Sequence, residues 1–139
     1  LRLGRILEMP KALVIDDSKA TRSILGRMLT EMGFEVHQAG DGAQALTKLK
    51  EVGQVNVALI DWDMPVMNGF EFLQAVRSQP TYSDVRLMMV TTESAIHQIA
   101  RALEAGADEY LMKPFTPALL RQKLSILGLV TPGGDDLNG

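Results

Sequence analysis

Five short apolar runs, separated by stretches with helical periodicity, constrain this chain more than any other feature. Ala12–Asp16, Glu35–Ala39, Val55–Asp61, Val85–Val90 and Glu109–Met112 read as strands. Val55–Asp61 is a continuous, β-branched apolar run, the mark of a central strand covered on both faces. The intervening segments put apolar residues three and four apart: Ile24, Leu25, Met28, Leu29 and Met32; Leu46, Leu49 and Val52; Phe70, Leu73 and Val76; Ile96, Ile99, Ala100 and Leu103; Leu120, Leu124 and Leu127. Asp41 before Gly42 and Thr116 before Pro117 are suited to cap helices two and five, and Gly33 and Gly106 to end helices one and four. Strict strand–helix alternation predicts a parallel sheet with right-handed crossovers and helices on both faces. The expected class is α/β, flavodoxin-like (βα)5, doubly wound, with strand order 2-1-3-4-5.

Composition closes off several functions. The chain has 139 residues, 46% apolar and 22% charged, which is ample for one cored domain. A net charge of -3 gives no basic face for nucleic acid. The absence of cysteine excludes disulfides, thiolate catalysis and cysteine–zinc sites. No apolar stretch approaches the ~20 residues that span a bilayer, and the opening residues lack the apolar centre of a signal peptide, so a cytoplasmic protein is expected. Met9-Pro10-Lys11 has the look of a natural start. Residues 1–10 are accordingly read as an N-terminal extension, with 1–8 a candidate for sequence added on cloning, 11–129 as the domain, and the breaker-rich 130–139 as a flexible tail.

The strand ends carry the chemistry. The first run leads into Asp16-Asp17, the third into Asp61, the fourth into Thr91 and the fifth into Lys113-Pro114. In the 2-1-3-4-5 order strands one and three are neighbours, and open α/β sheets bind ligands in the crevice at the carboxyl ends of the strands where the order switches. Two carboxylates ~4 Å apart repel by about 4 kcal/mol at an effective dielectric of 20. Three acids in one crevice therefore call for a hard cation, and Mg2+ takes one or two carboxylates together with water and phosphate oxygens. Asp17 and Asp61 are the expected direct ligands, with Asp16 direct or through water. A threonine hydroxyl and a lysine ammonium beside them suit phosphoryl transfer, where catalysis is mostly positioning and neutralisation of charge. Each residue has a plainer reading in isolation: Asp16-Asp17 as helix caps, Asp61 as a turn residue, Thr91 as an ordinary strand residue, Lys113 as a solvated turn. The set taken together outweighs those readings. A cis Lys113–Pro114 bond would aim the lysine back into the crevice.

This set, with Leu59-Ile60-Asp61-Trp62-Asp63-Met64-Pro65, Ala105-Gly106-Ala107 and Tyr110-Leu111-Met112-Lys113-Pro114-Phe115, resembles the receiver domains of two-component response regulators over residues 11–129, above all the single-domain chemotaxis members. The resemblance implies a phosphoacceptor rather than an enzyme with an external substrate, one that catalyses only its own phosphorylation and dephosphorylation. Asp61 would take a phosphoryl group from a sensor histidine kinase or histidine phosphotransfer protein. Asp16, Asp17, Asp61 and the backbone carbonyl of Asp63 would hold Mg2+, and Thr91 and Lys113 would contact the phosphoryl oxygens. Thr91 and Tyr110 would act as the switch, changing the affinity of the face made by helix four, strand five and helix five for a downstream protein. With no output domain in view, that target would be a separate molecule, and a monomer is expected. A phosphoryl shuttle in a relay is the alternative within the family. The sequence departs from the family pattern at Asn68-Gly69 in place of Asp-Gly and at Thr92, where a smaller residue is frequent; Asp63 and Glu93 occupy positions that tune attack by water. His37 and His97, away from strand ends, read as surface residues.

Rivals from other classes are weaker. Asp61-Trp62-Asp63 is also the Asp-x-Asp of haloacid dehalogenase phosphatases, but those carry it on the first strand of a longer chain. A flavin-binding module would want a Ser/Thr/Gly-rich loop where Asp16-Asp17-Ser18-Lys19 would repel phosphate. The complete residue set argues against a degenerate receiver serving only as a binding surface.

Overall fold

A computed structural model describes residues 9–92, 95 and 97–132. Glu93, Ile96, residues 1–8 and residues 133–139, on which some of the expectations above fall, lie outside the described residues. The strands are β1 (Lys11–Ile15), β2 (Glu35–Ala39), β3 (Val57–Asp61), β4 (Arg86–Thr92) and β5 (Glu109–Lys113). The helices are α1 (Lys19–Glu31), α2 (Gly42–Val52), α3 (Gly69–Arg77), α4 (His97–Glu104) and α5 (Pro117–Ile126). A 3-10 turn, Pro80–Tyr82, which apolar periodicity does not register, lies between α3 and β4. All four strand pairs are parallel and the order is β2-β1-β3-β4-β5, as expected.

Strand pleating sends alternate residues to opposite faces, so each strand feeds two cores. Leu13, Ile15, Ala58, Ile60, Leu87 and Met89 pack with Leu49 of α2, Phe72, Leu73 and Val76 of α3, and Ala102 of α4. Ala12, Val14, Val57, Leu59, Met88, Val90 and Leu111 pack with Leu25 and Leu29 of α1 and Leu120 and Leu124 of α5. Leu127, just past α5, completes the second core, and Leu129 and Val130 lie against it.

The local signals hold at the helix ends. Asp41 caps α2 by accepting from the Gln44 N–H, and Thr116 caps α5 by accepting from the Leu119 N–H. Asn68 closes a reciprocal capping box with Glu71, at 2.8 and 3.0 Å, so the Asn serves where an Asp is usual. The buried stripe of α4 differs from the expected one. Ile99 and Ala102 are buried, whereas Ala100 is exposed and Leu103 is 44% exposed. Ala100 and Leu103, spaced three apart as an inward stripe would be, stand on the solvent side instead. On α1, Ile24 is likewise exposed, and Leu25 and Leu29 carry the burial.

Candidate functional site

Pairing in register assembles the site. Ile15 of β1 lies beside Ile60 of β3, so the next residue on each strand path, Asp16 and Asp61, meet at the carboxyl edge of the sheet. Asp61 pairs with Val90 of β4, and Thr92 with Lys113 of β5. Asp16, Asp61 and Lys113 therefore come together at one carboxyl edge of the sheet, and Thr91 ends its strand at that same edge.

The helix that follows Asp16-Asp17 is capped by Ser18, whose hydroxyl accepts from the Thr21 N–H. That leaves Asp17 exposed and unused as a cap. Asp16 is 2% exposed. One of its carboxylate oxygens accepts from the Ser18 N–H at 2.8 Å, while its backbone carbonyl accepts from the Arg22 guanidinium. The other oxygen faces Lys113. The Lys113–Pro114 bond is cis, and Lys113 Nζ stands 3.5 Å from Asp16 Oδ2 and 3.3 Å from Asp61 Oδ1. Oxygens of Asp16, Asp17 and Asp61 all lie within 4.8 Å of one another, the group among the described residues suited to a metal ion. The donors are hard oxygens whose carboxylates outnumber the Lys113 ammonium that pairs with them, so the cluster fits a small divalent ion such as Mg2+. The exposed carboxylate of Asp63 is outside the cluster.

Electrostatics follow from the geometry. Burial, then the negative charge of Asp16, raise the Asp61 pKa to about 6, and Lys113 offsets only part of that. Burial works against the Lys113 ammonium, but the charges of Asp61 and Asp16 and its hydrogen bonds to both outweigh burial and lift its pKa above the ordinary lysine value.

The turn after Asp61 is held tightly. The Gly69 N–H donates to the Trp62 carbonyl at 2.9 Å, and a Cβ at position 69 would collide with the carbonyl oxygen of Asp61. Only glycine lets the start of α3 sit this close to the strand end. Val66, with φ of 69° and 83% exposure, forms the outward tip of this loop.

Thr91 is buried near the end of β4, and Thr92, next along, is exposed. Tyr110, beside Met89 in register, packs against the same core as Met89. Thr91 lies two residues beyond Met89, on that face of the sheet. The Tyr110 ring carries the Lys123 ammonium 3.9 Å from its centroid, and Lys123 also pairs with Glu109 at 2.9 Å. His37 is partly exposed and hydrogen-bonded to Glu35, and His97 is exposed; neither belongs to the acid cluster. Sequence reading missed a row of groups beside the site: Trp62 against Phe70, with ring centroids 5.6 Å apart, and the Arg101 guanidinium 4.4 Å over Phe70. A lone aromatic at the second residue of a helix gives no such signal.

The doubly wound sheet carries an acid triad and a lysine at its switch point, and residues 12–125 match the family model for the response regulator receiver domain. The chain belongs to that family. Its relatives include chemotaxis protein CheY1 of Helicobacter pylori, 38% identical over 84% of this chain and 95% of that protein. A CheY homolog of Campylobacter jejuni is 42% identical over 85% of this chain and 92% of that protein. Among solved structures, Vibrio cholerae chemotaxis protein CheY4 superposes with a TM-score of 0.78 at 38% identity, over 88% of this chain and 99% of that one. A Francisella response regulator receiver domain gives 0.75 at 30% identity, over 85% and 95%. No helix among the described residues is long and apolar enough to cross a membrane.

Proposed function

We propose that this protein is a CheY-like phosphorylation switch in which Asp61 accepts a phosphoryl group from a histidine kinase or histidine phosphotransfer protein. The observation that carries this reading is the position of Lys113 Nζ between Asp16 and Asp61, inside a three-carboxylate cluster. A carboxylate oxygen of Asp61 attacks the phosphorus, the histidine nitrogen–phosphorus bond breaks, and an acyl phosphate forms on Asp61. Lys113 and the Thr91 hydroxyl then take the phosphoryl oxygens, the first as a point charge and the second as a hydrogen-bond donor. Asp16, Asp17 and Asp61, with the backbone carbonyl of Asp63, hold Mg2+. When bound, the ion neutralises the carboxylates and the charge on the transferring group. Asp63 and Glu93 tune the later attack of water, and Thr92 limits access to the pocket.

The signal leaves through Thr91 and Tyr110. Their shared sheet face supports a packing change in which Thr91 moves toward the phosphoryl group and the Tyr110 ring follows. The α4–β5–α5 face then changes its affinity for a separate protein, and the names of the CheY relatives favour a chemotaxis target. Inverting a 1:99 resting equilibrium needs about 5.5 kcal/mol of differential stabilisation, within reach of one phosphoryl group making several charge-assisted bonds.

A small acyl phosphate as donor tests this reading. The protein should take up one acid-labile phosphoryl group per chain, only with Mg2+ present, and Asp61→Asn should take up none. Turnover of many donor equivalents in a burst-free steady state would identify a phosphatase instead.

A further inference from the structure

Helix α4 is lightly anchored. Among its described residues Ile99 and Ala102 are buried, and its exposed side carries Ala100, Arg101 and Leu103. Further ties run to α3. Past its C-terminal end, the Gly106 carbonyl accepts from Arg77 Nε at 2.9 Å, and a Cβ at position 106 would meet the Arg77 side chain 2.7 Å away. From its own exposed side, Arg101 lays its guanidinium 4.4 Å over the Phe70 ring. Phe70 is the second residue of α3, next to Gly69, which lies against the backbone of Asp61. Its ring also tilts at 33° against Trp62, the residue after Asp61.

A contiguous route of packed groups thus runs from Asp61 through Trp62 and Phe70 to Arg101 by contacts in which neither Thr91 nor Tyr110 takes part. We infer that Arg101 is a positioning residue that couples the placement of α4 to the phosphoacceptor turn through the Phe70 ring. The inference rests on the proposed phosphoacceptor role of Asp61. A cation over an aromatic face is attracted by the ring quadrupole and slides at little cost while it stays above that face. The contact therefore suits a helix that must shift and stay registered to the turn. Coupling of this kind is reciprocal: a ligand at Asp61 biases α4, and whatever holds α4 biases the affinity at Asp61.

The test uses beryllofluoride with Mg2+ as a non-transferable phosphoryl mimic on the intact chain. Binding is read by fluorine NMR, and the response of α4 by amide hydrogen exchange. In the wild-type protein, binding should change exchange across residues 97–104. In Arg101→Ala and in Phe70→Leu that change should be about two- to five-fold smaller, the scale of one exposed cation–π contact. The double variant should lose no more than either single one, and Arg101→Lys, which keeps a cation over the ring, should restore most of the response. A merely structural role would lower thermal stability without this pattern of non-additivity and rescue. Wild-type protein that binds no beryllofluoride would overturn the phosphoacceptor reading and the coupling with it. Normal binding with a full α4 response in Arg101→Ala would overturn the coupling alone.

Discussion

Asp61 holds its proton more tightly in the folded chain than in a free carboxyl, about 6 against 3.8, because it is half-buried beside Asp16. Below pH 4 the group is neutral in both folded and unfolded states and adds nothing to the balance. As pH climbs from about 4 to 6 the unfolded state ionises first, so stability falls; above 6 both states are charged and the folded one carries the full penalty. Two units of pKa correspond to roughly 3 kcal/mol, and screening at this partly open crevice makes 1–2 kcal/mol the practical scale. Metal-free protein should therefore be less stable to urea at pH 7 than at pH 5 on account of this residue. Asp61→Asn should gain about 1 kcal/mol at pH 7, after the loss of its pairing with Lys113. That gain should vanish below pH 4. It should also shrink when Mg2+ is added, because the ion stabilises the wild-type cluster by binding only the folded state. An Asp61→Asn variant less stable than wild type at pH 7 without metal would contradict this account of the charge balance.

At the scale of elements, the end of α3 is pinned by one side chain. Arg77 donates to the carbonyls of Gly106, Tyr82 and Val85, at 2.9, 3.2 and 2.8 Å, and pairs with Asp108 at 2.9 Å. Asp108 in turn accepts from the Leu87 N–H at the start of β4. Arg77→Ala strips three carbonyls of a donor and leaves Asp108 without its cation, which should cost about 2–4 kcal/mol in denaturant unfolding. A loss below 0.5 kcal/mol would show the network to be solvated rather than structural. Nothing in the sequence announces this tie, because the acceptors are backbone atoms whose proximity exists only once the chain is folded. The same holds for Phe70 and Arg101. Alternation and capping, by contrast, are written locally: Asp41, Thr116 and the strand β2 were legible to the residue. Strands β1, β3, β4 and β5 were legible with ends one or two residues off. The face of α4 was misjudged in part: Ile99 is buried as expected, but Ala100 and Leu103 mimic an inward stripe while the small Ala102 takes the buried position.

For the whole molecule, a single topological fact converts sequence into chemistry. Placing β1 beside β3 sets Asp16 next to Asp61, and β4 and β5 then bring Thr91 and Lys113 to the same edge. The acid cluster was legible because strand-end residues in a doubly wound sheet share one crevice. That Lys113 enters the crevice was legible from its strand end; that its one ammonium stands between Asp16 and Asp61 was not, since the distances depend on the folded turn. The claim most exposed to experiment is that Asp61 carries the phosphoryl group. Borohydride reduces an aspartyl phosphate to homoserine, which peptide mass spectrometry locates by residue. After treatment with an acyl phosphate donor and Mg2+, homoserine should stand at position 61 and nowhere else, and should be absent without the metal. Homoserine at 16, 17 or 63, or conversion at 61 that ignores Mg2+, would contradict the account.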